Sequence, residues 1–85
     1  MSSKSAVVGS AVGLHARPAA IISEAAAEFD SDVFLTVDGG DPVDASSALM
    51  IMTLGAGKGV TVEVSGEDQA AVDAIAALVE QDLDA

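Results

Sequence analysis

Two apolar periodicities take turns along this 85-residue chain, and their order leaves few folds open. Val60-Thr61-Val62-Glu63-Val64 alternates strictly, with Val60, Val62 and Val64 on one side, which is the period of a half-buried strand. Ala6-Val7-Val8, within residues 4–9, is a shorter β-branched run. Residues 33–38 set Val33, Leu35 and Val37 against Phe34, Thr36 and Asp38, a strand with both faces partly covered. Asp38-Gly39-Gly40-Asp41 then supplies turn chemistry, and Pro42-Val43-Asp44 a short return strand whose proline suits a strand start or an edge.

Helical spacing intervenes three times. Residues 19–28 read as a helix, with Ile22, Ala25 or Ala26, and Phe29 just past its end recurring at helical spacing and Glu24 and Glu28 opposite, until Asp30-Ser31-Asp32 ends it. Ser46 or Ser47 can cap a short helix over residues 48–52, which Gly55-Ala56-Gly57-Lys58-Gly59 terminates. Ser65 ahead of Gly66-Glu67-Asp68 reads as a near capping box with acids in the first turn. Val72, Ile75, Val79 and Leu83 form the stripe of that last helix, with Asp73, Glu80 and Asp84 turned to water.

The order is β-α-β-β-α-β-α. Two β-α-β passes sharing one sheet predict an α+β open sandwich with its helices segregated on one face. The length suits a single domain over residues 1–85 with a modest core. Phe29 and Phe34 are the only aromatics, so alanine and valine must do the packing. With no cysteine and one histidine, neither a disulfide framework nor a zinc site is available. Carboxylate-only magnesium binding stays open, but no metal or cofactor is expected.

Charge narrows the function. Lys4, Arg17 and Lys58 face fourteen acids, for a net charge of −11. No basic patch exists to displace counterions, so neither nucleic acid nor an anionic membrane is an expected partner. The apolar runs are too short to cross a bilayer and the N-terminus lacks a signal peptide's apolar region, which points to a cytoplasmic protein. The aliphatic content is too high for disorder, and the acids fall at exposed helix positions and turns. That pattern suits a halophilic protein working in concentrated salt, where self-repulsion is screened within a few ångströms.

One stretch concentrates the chemistry. Gly13-Leu14-His15-Ala16-Arg17-Pro18-Ala19-Ala20 holds the sole histidine, the sole arginine and one of two prolines. Gly9, Ser10 and Gly13 loosen the chain into a loop that delivers His15 to the mouth of the first helix. Proline is favoured in a first turn, where its missing N–H takes nothing from the ladder. The first amides of a helix lack internal partners and carry the positive end of its dipole. An imidazole and a guanidinium there make a site for an anion, most naturally a phosphoryl group, with Ala16, Arg17 and Pro18 as the phosphate-binding turn. His15 reads as a nucleophile and Arg17 as its clamp, a planar fork matched to phosphate oxygens. No second catalytic group lies nearby in sequence, which fits a carrier better than a complete enzyme.

These residues resemble the active-site signature of the HPr family, the histidine phosphocarriers of the phosphoenolpyruvate-dependent sugar phosphotransferase system. The likeness extends from Gly13-Leu14-His15-Ala16-Arg17-Pro18-Ala19 through the Ser47 region to Met52-Thr53-Leu54-Gly55 and Gly66-Glu67-Asp68. It implies an open-faced β-sandwich, a four-stranded antiparallel sheet with three helices on one face. It also implies that His15 accepts phosphate at its δ1 nitrogen from phosphorylated enzyme I and passes it to a histidine on an enzyme IIA domain. Arg17 would balance charge in each transfer, and the protein would be a carrier rather than an enzyme acting on a small substrate. Fructose-type and dihydroxyacetone-type acceptors both remain open, and a monomer is the expected state.

By the same resemblance Ser47 falls where some members carry a regulatory serine, but a helix cap is the favoured explanation, and Ser46 in place of the lysine that often precedes it weakens the regulatory case. Leu49 and Met52 resemble the family's exposed docking patch, against the alternative that they are buried. Val12 stands where the family often has a small polar residue near the phosphate loop, which removes one helping hydrogen bond, and Glu24 stands where many members are basic, so docking here is expected to be less electrostatic. A regulatory binding module acting through Ser47 is the rival reading. A small hydrolase using His15 with an acid ranks last, because no nucleophile-base-orienter set has motif spacing.

Overall fold

The computed structural model describes residues 2–37 and 39–83. The strands are β1 (Ser2–Val7), β2 (Val33–Val37), β3 (Val43–Asp44) and β4 (Thr61–Gly66), and the helices α1 (Ala16–Ala27), α2 (Ala48–Thr53) and α3 (Gln69–Glu80). All strand pairs are antiparallel in the order β1-β4-β2-β3, and the three helices cover one face of the sheet. The expected α+β open sandwich and its β-α-β-β-α-β-α order are what the chain forms.

The alternation in β4 sets the layers. Val62 and Val64 are buried toward the helices while Thr61 and Glu63 face outward. Val62 pairs with Ala6 and Val37, and Val64 with Lys4 and Leu35, so each inward valine continues a row across three strands. Ile22 of α1, Ile51 of α2 and Val72, Ile75 and Val79 of α3 close over these rows. Each such side chain contributes about 1.5–3 kcal/mol by leaving water. Lys4 ends one row at the sheet edge, and its ammonium reaches the Asp73 carboxylate of α3 at 3.9 Å with both side chains half-exposed. The cation therefore sits at the rim of the core, where an ion pair adds little stability.

Several boundaries differ from the sequence expectation. β1 spans Ser2–Val7 rather than 4–9, because its ladder from Ser2 opposite Gly66 to Val7 opposite Thr61 uses backbone groups and tolerates polar side chains on an edge strand. α1 starts at Ala16, one turn earlier than the apolar spacing suggested. Ser65 does not cap α3. The β4 ladder runs on to Gly66, so the helix begins only after Asp68, whose carboxylate accepts from the Ala70 N–H at 3.0 Å, and the first turn carries no acid. Asp73 and Glu80 are exposed as expected, and Leu83 packs half-buried beyond the helix end. Asp38 and Asp84 lie outside the described residues.

Candidate functional site

His15 is the N-cap of α1, in extended backbone conformation at φ −82° and ψ −163°. Its carbonyl accepts the first helical bond from the Ala19 N–H at 2.9 Å, but its side chain makes no capping hydrogen bond. The imidazole is thus left exposed at the helix mouth instead of being spent on the cap. Ala16 and Arg17 follow, both exposed, and their N–H groups precede the first helical bond, where no intrahelical acceptor exists. Pro18 is the third helical residue and is buried; having no N–H, it leaves no donor unsatisfied in the interior. Two backbone donors, a guanidinium and an imidazole nitrogen therefore sit on consecutive residues at the positive end of a twelve-residue helix. Such a cluster of donors and positive charge suits the binding of an anion.

The loop that presents His15 is not loose, contrary to the reading of Gly9, Ser10 and Gly13 as loosening residues. Gly9 donates to the Val79 carbonyl at 3.1 Å, and a Cβ on it would land on the Glu80 carbonyl oxygen. The Ser10 hydroxyl, fully buried, donates to the Gln81 carbonyl at 3.3 Å and accepts from the Leu83 N–H at 3.1 Å. Gly13 donates to the Ser10 carbonyl at 3.0 Å, and Leu14 to the Ala56 carbonyl at 2.9 Å. One end of the loop is therefore tied to the C-terminal end of α3 and the other to the α2–β4 connection. Glycine is required for close approach at both ends, and sequence reasoning missed this because the partners lie 40 to 70 positions away. Buried Ser10 was missed for the same reason; a lone serine in a loop carries no local signal.

Leu14, His15, Met52, Gly55, Ala56 and Gly57 line a depression of about 70 Å³ beside the imidazole, which places Met52 next to His15. Of the α2 side chains only Ile51 is buried, while Leu49 is 70% and Met52 39% exposed. Burial therefore does not explain those two. Met50, 43% exposed, extends the same apolar surface and was not singled out from sequence. Val12 is exposed at the turn of the loop and Glu24 on the outer side of α1. Ser47, not Ser46, caps α2: its Oγ accepts from the Met50 N–H at 3.3 Å, whereas the Ser46 N–H and hydroxyl both donate to Asp44 Oδ1, at 2.9 and 2.7 Å. Ser47 is not among the residues lining the depression at His15. Among the described residues no helix is long and apolar enough to cross a membrane.

Comparison with known proteins adds independent findings. A family model for the phosphotransferase-system HPr component phosphorylation site matches residues 2–81. The fold superposes on the phosphocarrier protein HPr of Bacillus anthracis with a TM-score of 0.84 at 36% identity, covering 92% of this chain and 95% of that one. It superposes on an HPr of Thermoanaerobacter tengcongensis with a TM-score of 0.88 at 32% identity, covering 100% and 98%. The catabolite repression protein Crh of Bacillus subtilis, described as a swapped, intertwined dimer, is similar with a TM-score of 0.74 at 35% identity, covering 98% of both chains.

Proposed function

The chain belongs to the HPr family of phosphocarrier proteins of the phosphotransferase system, and on that premise we propose that His15 is its phosphoryl acceptor and donor. The Nδ1 lone pair of the neutral imidazole attacks the phosphorus carried by phosphorylated enzyme I, and the bond from phosphorus to enzyme I breaks as the new N–P bond forms. In the second transfer the N–P bond on His15 breaks toward a histidine of an enzyme IIA domain. The Ala16 and Arg17 amides and the Arg17 guanidinium hold the phosphoryl oxygens in both states, with Pro18 fixing the turn. In-line phosphoryl transfer asks mainly for positioning and charge stabilisation, which a rigid carrier and its docked partner supply jointly. The observation that supports this best is the exposed imidazole at a helix N-cap where its side chain makes no capping bond.

Docking of both partners falls to Met52 beside the site and the exposed Leu49 one turn earlier on α2, through contact that persists when salt screens charge. A net charge of −11 fits a cytoplasmic protein of a salt-rich interior, acting as a monomer that docks and leaves. Incubation with enzyme I and labelled phosphoenolpyruvate tests the reading. Acid-labile label is expected on the wild type and none on His15→Ala. An unlabelled wild type beside a competent enzyme I would refute it.

The similarity to Crh, named for catabolite repression, favours one second reading: a regulatory module signalling through Ser47. The presence of His15 argues against a purely regulatory role. Regulatory activity surviving His15→Ala and lost in Ser47→Ala would decide for it.

A further inference from the structure

Ser10 is the one fully buried hydroxyl among the described residues, and it sits five positions before His15. Its Oγ makes two long-range bonds, donating to the Gln81 carbonyl and accepting from the Leu83 N–H. Both groups lie just past α3, where the backbone at Gln81 turns extended at φ −78° and ψ 152° and no further helical bond can satisfy them. The Ser10 carbonyl accepts from the Gly13 N–H, closing the turn that precedes Leu14. Leu14 in turn is tied to Ala56, whose neighbours Gly55 and Gly57 line the depression at His15. A continuous run of bonds thus leads from the C-terminal segment through Ser10 to the residue that precedes the imidazole.

We propose that Ser10 is a positioning residue of the transfer site: its hydroxyl locks segment 81–83 onto the loop of residues 9–14 and thereby sets where His15 stands. The inference rests on His15 being the phosphoryl acceptor. A hydroxyl suits the task because it donates and accepts at once, meeting an orphan carbonyl and an orphan N–H with one atom. Alanine there leaves both groups without their partner, and the loop then has only its Gly9 and Leu14 ties to hold it. Transfer is steeply sensitive to such slack, since displacement of a reacting group by about 1 Å costs up to about a hundredfold in rate.

The test uses two substitutions that open the clamp from opposite sides. Ser10→Ala removes the hydroxyl; Leu83→Pro removes the N–H that donates to it, and Leu83→Ala, which keeps that N–H, controls for the side chain that packs half-buried beyond α3. In Ser10→Ala relative to wild type, and in Leu83→Pro relative to Leu83→Ala, enzyme I is expected to phosphorylate His15 about tenfold more slowly, while amide exchange of Gly13 and Leu14 accelerates and that of Val62 and Val64 stays slow. Ser10→Ala with Leu83→Pro is expected to be no slower than Ser10→Ala with Leu83→Ala, because loss of the hydroxyl already removes the bond from the Leu83 N–H. Unchanged exchange at Gly13 and Leu14 in Ser10→Ala would overturn the proposal, whatever the rate. So would unchanged transfer rates with exchange accelerated, or a Ser10→Ala, Leu83→Pro variant slower than Ser10→Ala with Leu83→Ala. Amide exchange needs no phosphoryl donor, so failure of the carrier reading, an unlabelled wild type, is distinguishable from failure of this one.

Discussion

Replacement of Gly13 by alanine is the sharpest test of how the loop is held. Gly13 has φ +80°, and a Cβ there would stand 2.5 Å from the Ala56 carbonyl oxygen and 2.8 Å from the Gly57 Cα. Left-handed backbone costs a residue with a Cβ about 1–2 kcal/mol. Overpacking against rigid neighbours costs about 1–3 kcal/mol more, and here the neighbour that must retreat is the acceptor of the Leu14 N–H. Alanine recovers about 0.4–1 kcal/mol by restricting the unfolded chain. The net loss is about 2–4 kcal/mol, which for a chain of this size lowers Tm by about 10–30 °C. Gly39→Ala is the control: φ is +69°, but nothing lies within 4 Å of its Cβ, so only the backbone cost remains. Urea unfolding of both variants gives the comparison. Equal losses at Gly13 and Gly39 would show that contact with Ala56 does not hold the loop.

Three further outcomes are expected. Asp68→Ala, which deletes the acceptor of the Ala70 N–H, should cost about 1 kcal/mol in urea unfolding, whereas Ser65→Ala should cost less because Ser65 does not cap α3. Leu49→Gln with Met52→Gln should leave stability within about 0.5 kcal/mol, since both side chains are exposed, yet raise KM for enzyme I; unchanged transfer kinetics would remove these residues from the docking surface. Tm should climb as salt rises from low millimolar to molar, since −11 on 85 residues destabilises the compact state by self-repulsion until it is screened; a flat melting series would refute the halophilic reading.

The element order and the inward rows could be read from the chain because they depend on local periodicity. Val62 and Val64 alternate with Thr61 and Glu63 whatever lies across from them, and Ile22 and Ala26 are one helical turn apart. The place of His15 at a helix mouth was equally legible, since Pro18 and the apolar spacing after it are local signals. Ends of elements were less so. The start of β1 at Ser2 and the cap at Asp68 follow from how far the β1–β4 and β2–β4 ladders run, a property of paired strands that neither sequence carries alone.

What only the tertiary structure decided is how the site is supported and what is left in water. Whether Leu49 and Met52 are covered depended on the angle at which α2 lies on its neighbours, and a six-residue helix with one buried side chain leaves them out. Gly9, Ser10 and Gly13 are small and polar enough to look like slack, yet each meets a backbone from a distant part of the chain. Local sequence dictates conformational preference within a few residues. A hydrogen bond across 73 positions, such as that from Leu83 to Ser10, exists only once the sheet and helices have brought the two ends together.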